Sequence, residues 1–207
     1  MQLHQQIILA SSSPWRRKML EDAGVACQAI ASGFDESSVS AEKPQELAVL
    51  LARKKAQIVF ESHPGSIVIG ADQVAHDGEG CFGKPSSPED HLERLWSLRG
   101  KEHWLTTGVA ILSPDEQRVF SVKTGIRFRS DLSRSELQAY VESGEGSECA
   151  GGYQIEGRGA WLIERVTGDW FNVVGLPVLE VVSVLRSMGW KMGHSKGPRL
   201  ATSKAGL

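Results

Sequence analysis

Several segments of the chain combine side chains that phosphate chemistry requires. Residues 11–17 place three serines and a proline ahead of two arginines, Arg16 and Arg17. A helix that starts at Pro14 would offer phosphate oxygens free backbone N–H groups, a positive dipole end and guanidinium donors. The alternative is a plain helix start, capped by Ser13, with both arginines on the surface. The segment predicts either a phosphate site or an ordinary cap.

A carboxylate follows the most apolar strand pattern of the sequence. Residues 66–72 read Ser-Ile-Val-Ile-Gly-Ala-Asp, and in open α/β sheets ligands bind at the carboxyl ends of strands. There Asp72 can bind a hard cation or activate water, although a turn-forming aspartate explains it equally simply. Asp35 and Glu36, in a polar loop, offer further acidic ligands or remain solvated.

Two lysines supply further positive charge. Lys84 stands between Gly83 and Pro85, so a turn of fixed backbone can direct its ammonium group at phosphate, or can be an ordinary β-turn. Lys55 lies on a predicted long helix, where a surface charge is the simpler interpretation. Glycine-rich segments at 150–159 and 168–177 indicate close backbone approach, as in a lid, a pocket wall or an interface.

Composition and missing motifs exclude several classes of protein. A net charge of −2 argues against a nucleic-acid binder with a broad basic surface. No P-loop, dinucleotide fingerprint or serine-hydrolase elbow is present. The three cysteines lack the spacing of a zinc site, and no apolar run is long enough for a membrane span. Because the first residues are polar and signal-peptide features are missing, we expect reduced thiols and a cytoplasmic location.

The elements that must position these residues alternate between strands and helices. The patterns predict one domain over residues 1–190 and a disordered basic tail at 191–207. Mixed strands and helices favour an α/β fold with a central mixed sheet. The predicted strands are 6–10, 25–31, 66–72, 103–112, 119–128 and 161–166, and the predicted helices are 14–24, 44–61, 87–100, 133–144 and 178–188.

Taken together, the segments resemble the Maf family of nucleoside triphosphate pyrophosphatases. The matching pieces occur in the family's order and cover residues 7 to about 188. They are Leu9–Arg17, Asp35–Glu36, Leu51–Ala56, Gly70–Gln73, Gly83–Pro85, Thr107–Val109, Ala150–Tyr153 and Asn172–Pro177. Each piece is short, but the ordered set is specific.

The resemblance implies a fold, a reaction and a set of roles. It implies a two-lobed mixed β-sheet with flanking helices and a central cleft, a nucleotide substrate, Mg²⁺ or Mn²⁺, and commonly a homodimer. Hydrolysis between the α- and β-phosphates would give a nucleoside monophosphate and pyrophosphate. By resemblance, Asp72 is the general base and shares metal binding with Glu36. The residues expected to hold the triphosphate are Ser11, Arg16, Lys55 and Lys84.

Three positions separate branches of the family by base. Trp15, Gln73 and Glu156 resemble the branch that acts on 7-methyl-GTP, whereas the branch that acts on dTTP and UTP resembles Arg, Thr and Gln there. An indole face attracts a cationic 7-methylguanine ring, and a glutamate accepts hydrogen bonds from guanine donors. Segments 150–153 and 168–172 look more like the dTTP/UTP branch. We therefore predict 7-methyl-GTP as the first choice of substrate and dTTP or UTP as the second.

Two other classes of function use the same residues. A phosphomonoesterase with the same metal and cations would release inorganic phosphate instead of pyrophosphate. A nucleotide-binding regulator of cell division would bind without turnover. The intact set of acidic and basic residues argues against the regulator, because a pure binder needs no carboxylate that orients water.

Overall fold

The computed structural model describes residues 5–192, so most of the predicted tail, from residue 193 onwards, lies outside the described residues. The strands are β1 (Ile7–Leu9), β2 (Gln28–Ala29), β3 (Ile67–His76), β4 (Cys81–Phe82), β5 (Glu102–Leu112), β6 (Gln117–Phe128) and β7 (Ile163–Thr167). The α-helices are α1 (Pro14–Asp22), α2 (Pro44–Ser62), α3 (Pro88–Leu98), α4 (Arg134–Glu142), α5 (Trp170–Val174) and α6 (Val178–Ser187). Short 3-10 helices occupy Glu36–Ser38 and Arg158–Trp161.

The strands form one mixed sheet in the order β2-β1-β3-β5-β6-β7, with β4 paired to β3. β1 runs parallel to β2 and β3, and the remaining pairs are antiparallel. The parallel pairing of β1 with β3 stops at Leu9 opposite Ile69. β3 continues to His76 alongside β5. The sheet therefore has an open corner beyond the end of β1.

Separate cores along β3 and β5 divide the molecule into two lobes. In the first lobe, Ile67, Ile69 and Ala71 pack with α1 and α6 on one face of the sheet, while Val68 packs with α2 on the other. In the second lobe, Ala75 packs with α3 and α4. The predicted α/β fold, a two-lobed mixed sheet with flanking helices, is confirmed. Asp72 and Gln73 lie where β3 passes from one core to the other.

Helix α2 lies against the sheet at two glycines, Gly70 on β3 and Gly108 on β5. A Cβ at Gly70 would overlap the carbonyl oxygen of Ala52 and stand 2.8 Å from the backbone nitrogen of Ala56. A Cβ at Gly108 would overlap the carbonyl group of Ala48. The backbone of α2 therefore touches the two strands directly, which holds this helix at a fixed height over the sheet.

The structure corrects several predicted boundaries. β3 does not end at Asp72, because Asp72 pairs with Gly108 and the ladder with β5 runs on to His76. β2 is shorter than its apolar run predicts, since it pairs only at Gln28 and Ala29. The predicted strand at 161–166 begins at Ile163, because a 3-10 helix holds Trp161. β4 and the short helix α5 were not predicted.

Among residues 5–192, none of the helices combines the length and apolar character needed to cross a bilayer.

Candidate active site

The first part of the site is the turn where β1 leaves the sheet. Ala10 still donates its N–H to Ile69 O at 2.8 Å, after which the chain turns into α1. Ser11 is buried, and its hydroxyl accepts the N–H of Ser13 at 3.1 Å. Ser13 caps α1 and Pro14 takes the first helical position, as the sequence predicts. The turn therefore brings the start of α1 to the open corner of the sheet.

Asp72, Lys55 and Glu36 form the centre of the site. Lys55 Nζ lies 2.5 Å from Asp72 Oδ1 and 2.7 Å from Glu36 Oε1. The side chains of Lys55 and Asp72 are 11% and 9% exposed, whereas that of Glu36 is 55% exposed. Lys55 reaches Asp72 because α2 crosses β3 at Gly70, two residues earlier on the same face. The site thus has an enclosed ion pair with a second carboxylate at its mouth.

Burial controls the protonation of Asp72. Burial raises the pKa of this carboxyl above its ordinary value of 3.8, while the positive charges of Lys55 and Arg16 oppose the rise. Glu36 adds a smaller push in the same direction as burial. A carboxylate with a raised pKa is a better proton acceptor than an exposed one, which suits a general base.

Arg16 is held by main-chain oxygens of two other elements. Its Nε donates to Gly175 O at 2.8 Å, and its Nη1 donates to Ala71 O at 2.9 Å. The guanidinium group therefore ties α1 to β3 and to the turn between α5 and α6. Burial lowers the pKa of the guanidinium group, and the negative charges of Asp72 and Glu36 oppose that effect. The arginine is fixed before any ligand binds.

The residues at the centre fit a divalent cation of the Mg²⁺ type. Asp72 and Glu36 offer two carboxylates that converge on one point, now taken by Lys55 Nζ. Mg²⁺ typically takes one or two carboxylates from the protein and completes its shell with water and substrate phosphates. Residues 5–192 contain no cluster of three or more His, Cys, Asp and Glu that would form an all-protein cage. The donor set therefore matches a cation that is bound together with a phosphorylated ligand.

Of the three residues predicted to set base specificity, Gln73 has side-chain hydrogen bonds to neighbouring elements. Its Nε2 donates to Asn172 O at 2.6 Å and to Thr107 Oγ1 at 3.1 Å. Trp15 stands on α1 beside Arg16 and is 45% exposed. Glu156 is exposed on the loop that follows Tyr153. Within residues 5–192 no hydrogen bond joins Trp15, Gln73 and Glu156 to one another.

Lys84 also lies apart from the central group. Within residues 5–192 its ion pair is with Glu148, at 3.0 Å, and both side chains are well exposed. The pair joins the Gly83–Pro85 turn to the glycine-rich loop at 144–157. A role of Lys84 toward phosphate would require this exposed pair to open, which costs little because surface ion pairs are weak.

Buried polar side chains form hydrogen bonds to the glycine-rich loop at 144–157. His103 bonds the Tyr153 hydroxyl at 2.7 Å, His91 bonds Gly152 O at 2.5 Å, and the Tyr140 hydroxyl accepts the N–H of Gln154 at 3.0 Å. Gly151 and Gly152 have positive φ angles of 89° and 81°. The segment 150–159, which the sequence predicts to be a lid, a pocket wall or an interface, is thus anchored to the second core. Glu156 lies on this anchored segment.

The family comparison decides between the classes of protein left open by the sequence. The family of Maf-like proteins matches residues 6–188. This chain belongs to the Maf family. Named relatives are dTTP/UTP pyrophosphatases from Geobacillus sp. (strain WCH70), 43% identical over 90% of this chain and 100% of that protein, and from Symbiobacterium thermophilum, 43% identical over 90% and 95%. A third, from Bacillus cereus (strain AH820), is 37% identical over 92% and 100%.

Among solved structures, the Ham1 protein of Staphylococcus aureus aligns with a TM-score of 0.43 and 18% identity, over 61% of this Maf chain and 73% of that chain. The prediction of a nucleotide pyrophosphatase, a hydrolase of acid anhydrides, is confirmed by the family and by the names of its members. Those names match the second predicted substrate group and not the first.

Sequence reasoning missed three residues that bond predicted residues of the candidate site. Thr107 and Asn172 were noted only as parts of motifs, yet both bond Gln73. Glu148, the partner of Lys84, carried no signal at all, since exposed glutamates in polar loops are common. The signal for Asn172 was present, because an asparagine inside an apolar segment must find partners for its amide when it is buried.

Proposed function

We propose that this Maf protein hydrolyses nucleoside triphosphates between the α- and β-phosphates, with dTTP and UTP as its substrates. The observation that carries the proposal is the enclosed Asp72, within 2.5 Å of Lys55 and next to the anchored Arg16. A proton acceptor, two fixed cations and a second carboxylate are what attack of water on a polyphosphate requires. The names of relatives up to 43% identical support dTTP and UTP.

In this proposal Asp72 serves both as base and as metal ligand, and each of the other residues has one task. Asp72 accepts a proton from the water molecule that attacks the α-phosphorus. The bond between the α-phosphorus and the bridging oxygen breaks, and pyrophosphate leaves with that oxygen. Arg16, Lys55 and Lys84 bind the phosphate oxygens, and Ser11 donates its hydroxyl to them. A bound Mg²⁺ or Mn²⁺, held by Asp72 and Glu36, would supply charge neutralisation on the phosphates.

Lys55 would change partners when substrate binds. In the free protein its ammonium neutralises Asp72 and Glu36. A triphosphate with its cation brings both negative and positive charge, so the carboxylates gain a new counter-ion and the lysine gains phosphate oxygens. Because the exchange conserves the number of ion pairs, it avoids leaving a buried charge without a partner.

A second candidate substrate is 7-methyl-GTP. Trp15 favours it, because an indole that is 45% exposed on α1 is available to stack on a cationic ring. Glu156 is exposed and has no ion-pair partner among residues 5–192, so its carboxylate is available to guanine donors. The arginine and glutamine that mark the dTTP/UTP branch are missing at these two positions.

The test is a substrate panel on the purified protein with Mg²⁺ or Mn²⁺. We expect release of pyrophosphate, measured without a coupling pyrophosphatase, and a kcat/KM for dTTP and UTP about tenfold or more above that for CTP. A higher kcat/KM for 7-methyl-GTP would select the second candidate. Direct release of inorganic phosphate would indicate a phosphomonoesterase, and binding without turnover would indicate a regulator.

A homodimer, implied by the resemblance, and a cytoplasmic location, expected from the cysteines and the polar first residues, stay predictions. Light scattering on the purified chain measures the first, and cell fractionation measures the second.

A further inference from the structure

The amide nitrogen of Gln73 has no hydrogen left for a ligand. Its two N–H groups have protein acceptors, Asn172 O at 2.6 Å and Thr107 Oγ1 at 3.1 Å. A backbone carbonyl oxygen only accepts hydrogen bonds, so the nitrogen of the amide must face Asn172. The oxygen of the amide is then the one polar atom that Gln73 can offer to a bound molecule.

The acceptors of Gln73 are themselves fixed. Asn172 is fully buried, and its Nδ2 donates to Leu105 O at 3.1 Å and to Thr124 Oγ1 at 2.9 Å. These bonds fasten α5 to β5 and β6, which sets the position of the Asn172 carbonyl. Thr107 is fully buried and lies directly opposite Gln73 in the β3–β5 register. Neither acceptor can move away without breaking buried hydrogen bonds.

We propose that Thr107 and Asn172 are positioning residues that make Gln73 a pure hydrogen-bond acceptor and thereby select the class of base. The class is a base with a protonated ring nitrogen beside a carbonyl group, as in thymine, uracil and guanine. Cytosine and adenine present an unprotonated ring nitrogen at the matching place, so a lone pair would face the oxygen of Gln73. The inference rests on the proposed function, because it requires the base to lie against Gln73.

The experiment compares two pairs of substrates of equal ring size, UTP with CTP and GTP with ATP. The wild-type protein should favour the first member of the pair it uses by about tenfold or more in kcat/KM. Thr107→Val removes one of the two acceptors at constant volume, so only the bond to Asn172 O still holds the amide, and the amide can turn to offer an N–H to an unprotonated ring nitrogen. The selectivity ratio should then fall at least about fivefold, and Thr107→Ser, which restores the hydroxyl, should bring it back to within about twofold of wild type.

The selectivity ratio distinguishes a positioning role from a general structural role. A loosened fold lowers kcat/KM for both substrates of a pair to the same extent and leaves their ratio unchanged. Gln73→Met, which removes the whole amide, should also lower the ratio and serves if Thr107→Val fails to fold. An unchanged ratio in both variants would overturn the inference, as would a wild-type protein that does not distinguish the members of either pair. A wild-type protein that hydrolyses none of these nucleotides, nor dTTP or 7-methyl-GTP, would overturn the proposed function itself.

Discussion

Lys55 Nζ lies 2.5 Å from Asp72 Oδ1, and both side chains are nearly closed off from solvent. The contact crosses from helix α2 to strand β3, between residues that are far apart along the chain. A buried ion pair of this kind contributes little net stability, because desolvation offsets much of the attraction. In a catalytic site, such a pair holds a carboxylate and an ammonium group in position before the substrate binds.

Asp72→Asn should abolish most of the activity. The amide keeps the size of the side chain but cannot accept a proton from water, so kcat should fall roughly 10²- to 10⁴-fold. Pyrophosphate release under saturating nucleotide measures the change. Asp115→Asn, at an exposed turn position, is the matched control and should leave kcat unaltered. A kcat for Asp72→Asn near that of the control would remove Asp72 from the role of base.

Lys55→Met should move the acidic limb of the pH profile to higher pH. Lys55 and Arg16 lower the pKa of Asp72 against the effect of burial, so loss of one positive charge raises that pKa further. Since Asp72 must be ionised to act as a base, activity is then lost at a higher pH as the solution is acidified. The measurement is kcat/KM against pH for variant and wild type with the same nucleotide, so that titration of the substrate is common to both.

The control for that profile is Lys54→Met, which removes an exposed positive charge from the neighbouring position of α2. Its acidic limb should coincide with that of the wild type. If the acidic limbs of the wild type, Lys55→Met and Lys54→Met coincided, Lys55 would not influence the ionisation that limits the reaction.

Gly70→Ala should destabilise the fold because the new methyl group would meet the backbone of α2. Overpacking against main chain cannot be relieved by a rotamer change, so the free energy of unfolding should drop by about 2 kcal/mol or more. Urea unfolding measures it. Gly65→Ala is the control, since a Cβ there meets nothing within 4 Å, and a loss as large as that of Gly70→Ala would contradict the steric account.

His103 should make the stability depend on pH. Burial lowers its pKa from 6.5 to about 4, so the folded protein resists a proton that the unfolded chain accepts. As the pH falls from about 6.5 to about 4 the contribution of His103 to stability is lost, and below that range it no longer changes. The loss is at most about 3.4 kcal/mol, from 1.36 kcal/mol for each pKa unit.

Urea unfolding at several pH values in that range tests the prediction on His103→Gln, which replaces the imidazole near Tyr153 by an amide that does not titrate. The stability of this variant should vary less with pH than that of the wild type. His63→Gln, at the end of α2, serves as the comparison, and an equal pH slope for His103→Gln and the wild type would count against a neutral buried His103.

Local signals made part of the fold predictable. Helices α1, α3 and α4 begin where Ser13, Ser87 and Ser133 cap them, because a cap depends on only a few neighbouring residues. The end of β3 was not predictable in this way. Asp72 closes the apolar pattern, but pairing with β5 extends the strand to His76, and the partners of the added residues lie 28 to 34 positions away along the chain.

The sequence named candidate residues for the site but did not predict how they are arranged. Lys55 alone reads as a surface charge, and it is buried only because Gly70 and Gly108 let α2 settle on the sheet. Lys84 matches its motif, yet the structure pairs it with Glu148 away from the centre. The burial of Lys55 and the pairing of Lys84 depend on distances between elements. These distances cannot be read from residue types and their spacing along the chain.

The contact of α2 with Gly70 and Gly108 affects how this protein tolerates amino-acid substitutions in its core. Where a helix rests on a sheet through bulky side chains, each substitution beneath it shifts the helix and everything it carries. Here the main chain of α2 contacts the main chain of the two strands directly. The distance between Lys55 and Asp72 therefore depends little on which apolar side chains fill the surrounding core. Apolar residues around the site can diverge widely while these two glycines hold the geometry constant.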